Sequence, residues 1–198
     1  MEALYTTETS NRYLALVLDK PEDWHSLEAK LNRQRLANGW VPLNFHFEAI
    51  GKSAVITPSI CSVYLPGVLA FRSELREMLF PSACDELEFL PIRVREESWW
   101  LLNCLKSTGS YDARESLVMR GAGGEVFLIQ RIVVDDESVR ACGVFTIADS
   151  NRGQLLLLAS MRERITKSGA QGVEFREIGV LRPPAAERTQ SQRDRITR

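Results

Sequence analysis

The chain has 198 residues, 44% of them hydrophobic and 26% charged, with 25 basic against 26 acidic side chains and a formal net charge of -1. That length supports a single domain with its own core, and the composition excludes a disordered or fibrous chain. The charge balance offers no basic field for nucleic acid.

Tyr13–Leu18 is a short apolar run that reads as a buried strand. Pro21, Glu22 and Asp23 suit a helix start, and Trp24, Leu27 and Leu31 fall on one helical face, with Asn38-Gly39 as the stop. Leu43, Phe45, Phe47 and Ala49 alternate with Asn44, His46 and Glu48, the period of a half-buried strand with His46 on its polar side. Residues 51–67 read as a loop with at most one short strand. Phe71, Leu75 and Leu79 form a helical stripe. Leu87–Val94 is strand-like, with Pro91 marking an edge or a bulge because it has no amide proton. The polar turn Arg95–Ser98 joins it to the strand Trp99–Leu105 as a hairpin. Gly121-Ala122-Gly123-Gly124 breaks the chain. A long strand follows to Val134 and ends in the acidic turn Asp135-Asp136-Glu137. Val144–Ile147 is another strand, a second helix is expected from about Gln154 to Lys167, and Val173–Val180 is the last strand. Pro183-Pro184 closes the fold, and the apolar-poor tail 185–198 is expected to be disordered.

Sliding the chain by 86 residues places Gly67–Val94 on Gly153–Val180 without a gap. Identities fall at Gly67/Gly153, Leu69/Leu155, Arg76/Arg162, Glu77/Glu163, Glu88/Glu174, Phe89/Phe175, Ile92/Ile178 and Val94/Val180. The stripe Phe71, Leu75, Leu79 maps onto Leu157, Met161, Ile165. The expected fold class is therefore α+β: mixed or antiparallel sheets, a few short helices, and two similar helix–strand halves (67–94 and 153–180) around one core. A single domain is expected over residues 1–182, with residues 183–198 as a tail.

Chemistry-bearing motifs are sparse. The glycine-rich loop 121–124 leads into strand-forming residues with no lysine, so it reads as a turn rather than a phosphate cradle. Ser62, Ser73 and Ser116 occupy no G-x-S-x-G elbow. His25, between Trp24 and Ser26 on the expected helix, reads as a structural histidine, and His46 has no nucleophile or carboxylate at a recognisable spacing. Cys61, Cys84, Cys104 and Cys142 stand far apart, with no C-x-x-C and no neighbouring histidine. Four reduced, buried thiols are expected and no zinc site. No catalytic residue, cofactor site or metal site is assigned. Trp99-Trp100 places two rings on opposite faces of a strand, so one can fill the core and the other face a second layer or a partner. Acidic turns at Asp85-Glu86, Glu96-Glu97 and Asp135-Asp136-Glu137 could rim a surface for a basic protein. The expected partner-binding residues are Asp135, Asp136, Glu137, Glu96, Glu97 and Trp99.

Met1–Glu8 has an acid where an export signal needs basic residues and an apolar core. The longest apolar runs fall far short of the roughly 20 residues needed to span a bilayer. A cytoplasmic protein with no membrane or nucleic-acid partner is expected.

Gly39-Trp40-Val41-Pro42-Leu43 is followed by Leu69-x-Phe71-x-Ser73-Glu74-Leu75-Arg76-Glu77-x-Leu79 and by Leu87–Val94. A Leu101-Leu102-Asn103 strand and the final Gly172-Val173-Glu174-Phe175 complete the order. It resembles a bacterial family, once known only as a domain of unknown function, of immunity proteins from polymorphic toxin systems. The likeness spans roughly residues 13–180. It implies a cytoplasmic α+β protein that binds and neutralises a cognate toxin delivered by a type VI or contact-dependent route. It supplies no catalytic residues. An adaptor or chaperone for a secreted effector, and an enzyme built around His46, are the alternatives.

Overall fold

The computed structural model describes residues 1–31, 33–49, 54–63, 68–150 and 154–183. Residues 184–198 of the expected tail lie outside them, as do Gly67 and Gly153 of the repeat. The first elements are β1 (Glu2–Thr9), β2 (Ala15–Leu18), α1 (Asp23–Lys30), β3 (Asn44–Glu48), β4 (Ile60–Ser62) and β5 (Leu69–Arg72). A 3-10 turn at Ser73–Leu75 runs into α2 (Arg76–Leu79), followed by β6 (Leu87–Val94), β7 (Glu97–Cys104), β8 (Ser107–Thr108), β9 (Leu117–Arg120) and β10 (Val126–Val134). A second 3-10 segment, Glu137–Ala141, precedes β11 (Val144–Ile147), β12 (Leu156–Leu158), α3 (Ala159–Lys167) and β13 (Val173–Leu181). The protein is mostly β, with two mixed sheets and a few short helices.

One sheet has the order β2-β3-β6-β7-β5-β4, the other β8-β11-β12-β1-β13-β10-β9. The second curls toward closure, because Val126 bridges Ser150 just beyond β11 and Tyr111 bridges Val134. Leu4, Ile129, Ile132, Phe145, Leu156 and Ile178 fill its concave side. α1 covers the outer face of the first sheet, where Leu16, Phe45, Leu90 and Trp99 are buried with Leu27 of the helix. A third core lies between the sheets. It gathers Phe71, Leu75 and Leu79 from one and Leu157, Met161 and Ile165 from the other.

Three expected helical boundaries move. α1 stops at Lys30, and Gly39, at φ +103°, turns the loop beyond it. Phe71 lies on β5, and only Leu75 and Leu79 follow on the short helical segment. Leu156–Leu158 is a strand rather than the start of a helix. The reason is that these runs lie between two cores. Leu155 and Leu157 face the inter-sheet core while Leu156 and Leu158 face the barrel interior, so continuous apolarity satisfies an extended backbone buried on both sides. β6 is not an edge strand. Hydrogen bonds from the Arg93 amide to the Leu43 carbonyl just before β3 and from the Arg95 amide to Phe45 in β3 show that odd-numbered amides point that way, but the pairing does not extend back to Pro91. The Pro91 carbonyl there accepts the Trp40 indole N–H at 2.8 Å.

The two sheets share a plan. In both, a strand, a helix and a second strand run in sequence, and an antiparallel strand lies between the two: β7 between β5 and β6, β1 between β12 and β13. Outside them, β3 joins β6 and β10 joins β13 in parallel, while β4 joins β5 and β11 joins β12 antiparallel. The register repeats as well. Trp100 faces Phe71 and Pro91, and Tyr5 faces Leu157 and Glu177, positions 86 residues further on. Arg76 of α2 stacks over Trp100 with its guanidinium 4.8 Å from the ring centroid, and Arg162 of α3 over Tyr5 at 4.7 Å. These cation–π pairs cap equivalent ends of the inter-sheet core.

Candidate partner-binding surface

Most of the acidic residues expected to face a partner are bound within the fold. The Asp135 carboxylate lies 3.4 Å from the Arg182 guanidinium, which also pairs with Asp112 at 3.0 Å and with Glu115. Asp136 caps the 3-10 segment. Its carboxylate accepts the Ser138 hydroxyl at 2.6 Å and the Ser138 amide at 3.0 Å, which holds its pKa below the usual carboxylate range despite burial. Glu137 pairs with Arg140 at 2.5 Å, and Arg140 also reaches Glu2. Glu97 pairs with Arg72 at 3.4 Å and accepts the Trp99 indole N–H at 3.1 Å. Glu96 stands exposed at the β6–β7 turn. The structure thus keeps Asp135, Asp136 and Glu137 together on one sheet and Glu96, Glu97 and Trp99 on the other.

Trp99 requires a correction. Its ring is fully buried against Phe47, edge to face at 5.5 Å, and cannot anchor a partner. Trp100 faces the other way and is itself half-buried beneath Arg76. The strand is covered on both sides, so both rings have layers to fill.

The residues considered for catalysis mostly serve the backbone. Ser62 bonds Thr7 at 2.9 Å, Ser73 donates to the Ser98 carbonyl at 2.8 Å, and Ser116 accepts the Val133 amide at 3.0 Å. His25 is exposed on α1. His46 contacts Asp19 through Nδ1 at 2.8 Å and lies 4.0 Å from Glu48 through Nε2, with its side chain partly exposed. A histidine beside an orienting carboxylate is half of an acid–base arrangement. At the glycine-rich turn, a Cβ on Gly121 would meet the Glu125 carboxylate at 2.3 Å, so an anionic group already lies over the loop where a phosphate would need amides alone.

The cysteines differ from expectation. Cys61 and Cys104 are buried thiols, each pushed up to about 12 by desolvation. Cys84 and Cys142 form a disulfide instead, with Cα atoms 5.6 Å apart, linking the segment after α2 to the one before β11. Packing in the inter-sheet core brings together residues separated by 58 positions, which spacing could not reveal. A Glu86 carboxylate oxygen and both sulfurs lie within 4.8 Å of one another. Lys106 sits 3.0 Å from that carboxylate, a cation where a divalent ion would need open ligands.

The sequence reading missed an apolar cluster on the outside of the β9–β10 hairpin. Leu117 is 57% exposed, Met119 43%, Phe127 61% and Leu128 37%. Met119 faces Leu128 across the ladder and Leu117 faces Arg131, while Val118 and Ile129 turn toward the barrel core. The signal was present in the uninterrupted runs Leu117-Val118-Met119 and Val126-Phe127-Leu128-Ile129, which cannot all point inward on a terminal hairpin.

No protein-family model matches the chain, and no curated protein matches its sequence. Among the described residues no helix is long and apolar enough to cross a membrane.

Proposed function

We propose that this chain is an immunity protein that binds a cognate toxin domain in the cytoplasm and neutralises it by covering the toxin's working surface, without chemistry of its own. The observation that carries the reading is the exposed cluster of Leu117, Met119, Phe127 and Leu128. Apolar side chains grouped in this way on a surface mark a protein contact. The resemblance to polymorphic-toxin immunity proteins supplies the partner class, and the places of its motif residues agree with that reading. Glu88 is buried, Trp40 ties down Pro91, and Gly172, at φ +135°, lies so close to Ile60 that a Cβ would meet the carbonyl oxygen at 1.9 Å. These residues specify a fold and leave the surface free to vary with the toxin.

A second reading, an enzyme using His46, draws on the Asp19–His46 contact. Co-expression with the toxin domain encoded beside this chain separates the two. Survival with wild type and with His46→Ala alike supports neutralisation by binding. Loss of protection in His46→Ala, with folding and toxin binding intact, overturns it. An adaptor for a secreted effector would bind its cargo yet give no protection.

A further inference from the structure

The Cys84–Cys142 bridge sits where the two sheets meet, and the fold holds both of its ends without it. The Cys84 carbonyl accepts the Leu87 amide at 2.9 Å, and the Glu86 carbonyl accepts the Leu105 and Lys106 amides at 2.9 and 3.2 Å. Residues 84–86 are thereby tied to β6 and to the segment that follows β7. The Gly143 amide donates to the Val139 carbonyl at 3.3 Å, and the Gly143 carbonyl accepts the Leu158 amide at 2.9 Å, which fixes Cys142 between the second 3-10 segment and β12. Main-chain bonds that survive reduction therefore keep the two sulfurs within bonding reach, with Cα atoms 5.6 Å apart. A chain of 198 residues with three apolar cores needs no staple to fold. A bridge added to such a frame adjusts its stability.

The four cysteines are unequal. Cys61 and Cys104 are buried, and desolvation pushes the pKa of each up to about 12. The Cys104 thiol also lies against the Lys106 and Val144 carbonyls, at 3.6 and 3.8 Å. Neither forms the thiolate that exchange requires. Cys84 is half-buried in the segment 81–86, whose other residues are exposed, so a small thiol can reach its sulfur. Cys142 is buried behind it and takes the part of the leaving group. The Glu86 carboxylate close to both sulfurs would oppose a thiolate, and the Lys106 ammonium 3.0 Å from it offsets that charge.

We propose that Cys84 and Cys142 form a reversible redox latch between the two sheets, closed in oxidising surroundings and opened by a low-molecular-weight thiol such as glutathione. A glutathione thiolate attacks Cys84 Sγ, the bond between the two cysteines breaks, and Cys142 leaves as a thiolate that takes up a proton. A second glutathione thiolate attacks the glutathione sulfur of the mixed disulfide and releases Cys84, which is protonated in turn. One protein disulfide is thus reduced as two glutathione thiols become one glutathione disulfide, and the reverse sequence closes the latch. It acts in the chain alone, with or without a toxin. The test takes the intact chain, oxidised with glutathione disulfide, into native buffer with millimolar reduced glutathione, followed by alkylation and mass mapping. Alkylation at Cys84 and Cys142 alone is expected. The opened chain should keep a cooperative melt about 4–16 °C lower, since a bridge across 58 positions restricts the unfolded chain. Its amides should exchange faster at 81–86 and 137–143, with β6 and β7 unchanged. Cys84→Ser should melt like the opened chain in both conditions, and glutathione disulfide should restore the higher melt in wild type alone. If Cys84→Ser does not fold, the opened wild type carries the same comparison. A bridge that never forms, or one that opens only in denaturant, overturns the latch. So does labelling of Cys61 or Cys104 in the folded chain, equal melting of the opened and closed chains, or loss of the cooperative transition on opening.

Discussion

Glu88 offers a direct test of how the loop before β3 is held. Its carboxylate is buried in β6 and accepts the Leu36 amide at 2.9 Å, the Ala37 amide at 2.8 Å and the Asn103 side-chain amide at 2.8 Å. Asn103 also donates to the Gln34 carbonyl at 2.9 Å, so the pair pins residues 34–37 over the first sheet. Burial alone raises the carboxyl pKa, but the hydrogen bonds from Ala37, Asn103 and Leu36, with Arg35 nearby, outweigh it and leave it lowered. Glu88→Gln keeps the shape and turns one acceptor into a donor facing other donors. Leaving a buried donor unsatisfied costs about 1–3 kcal/mol. For a chain of this size that corresponds to a fall of about 2–12 °C in melting temperature. The pH dependence has a fixed sign. A lowered folded-state pKa contributes stability that is complete above the unfolded value of about 4.3 and is lost as pH falls through the folded one. The gap between wild type and Glu88→Gln, followed by circular dichroism melts, should be widest near pH 7 and close in acid. A gap below about 1 °C at pH 7, or one that widens in acid, would refute the argument.

Two further outcomes follow from placed residues. Protein unfolded without reductant should titrate two thiols, Cys61 and Cys104, and four with reductant, because Cys84 and Cys142 are joined; four thiols in both conditions would remove the bridge. Charge reversal of Asp135, Asp136 and Glu137 together should lower the melting temperature by several degrees, since it strips Arg182 of a partner, uncaps the 3-10 segment and breaks the Arg140 pair. An unchanged calorimetric melt would return these acids to the solvent.

Periodicity served where a strand has one wet face and failed where both faces are buried. β3 alternates, and its residues were assigned to the correct sides. β5 and β12 do not alternate, because Ala70 meets the core under α1 and Leu156 the barrel interior while Phe71 and Leu157 both meet the inter-sheet core, and an unbroken apolar run is as good a helix as a strand. β1 escaped for a different reason. Leu4 and Thr6 are buried at period two within a threonine-rich stretch of weak hydrophobicity, and the sequence contains nothing to show that this segment enters the middle of a distant sheet. The acidic turns misled the site reading because a run of acids in sequence does not reveal the arginines that reach it from 3 or 47 positions away, as Arg140 and Arg182 do. The exposed hairpin was visible as apolar residues in excess of what one face can bury, but its position at the end of the sheet was not.

The matching plans of the two sheets lead to a last expectation. In the first, the strand between β5 and β6 is β7, which follows β6 through the tight turn Arg95-Glu96, with Arg95 at φ +56° and Val94 opposite Glu97. In the second, the same place between β12 and β13 is taken by β1, which precedes everything else in the chain. Glu2 faces Leu181 across that ladder, so the start of β1 lies beside the end of β13 where a hairpin turn would be. A circular permutant that opens between Ser10 and Asn11 and joins Pro183 to Met1 through a short glycine-containing turn would give both sheets the same strand order along the chain. The cut falls in an exposed turn, crossed by the Tyr13 amide to Ser10 carbonyl bond at 3.2 Å and the Arg12 amide to Ser10 hydroxyl bond at 3.5 Å. The permutant should melt cooperatively within a few degrees of the parent and retain the Arg162–Tyr5 contact, visible as through-space NMR contacts between the two side chains. A permutant that is soluble but lacks a cooperative transition would show that β1 depends on its covalent link to β2, and that the likeness of the sheets stops at strand order.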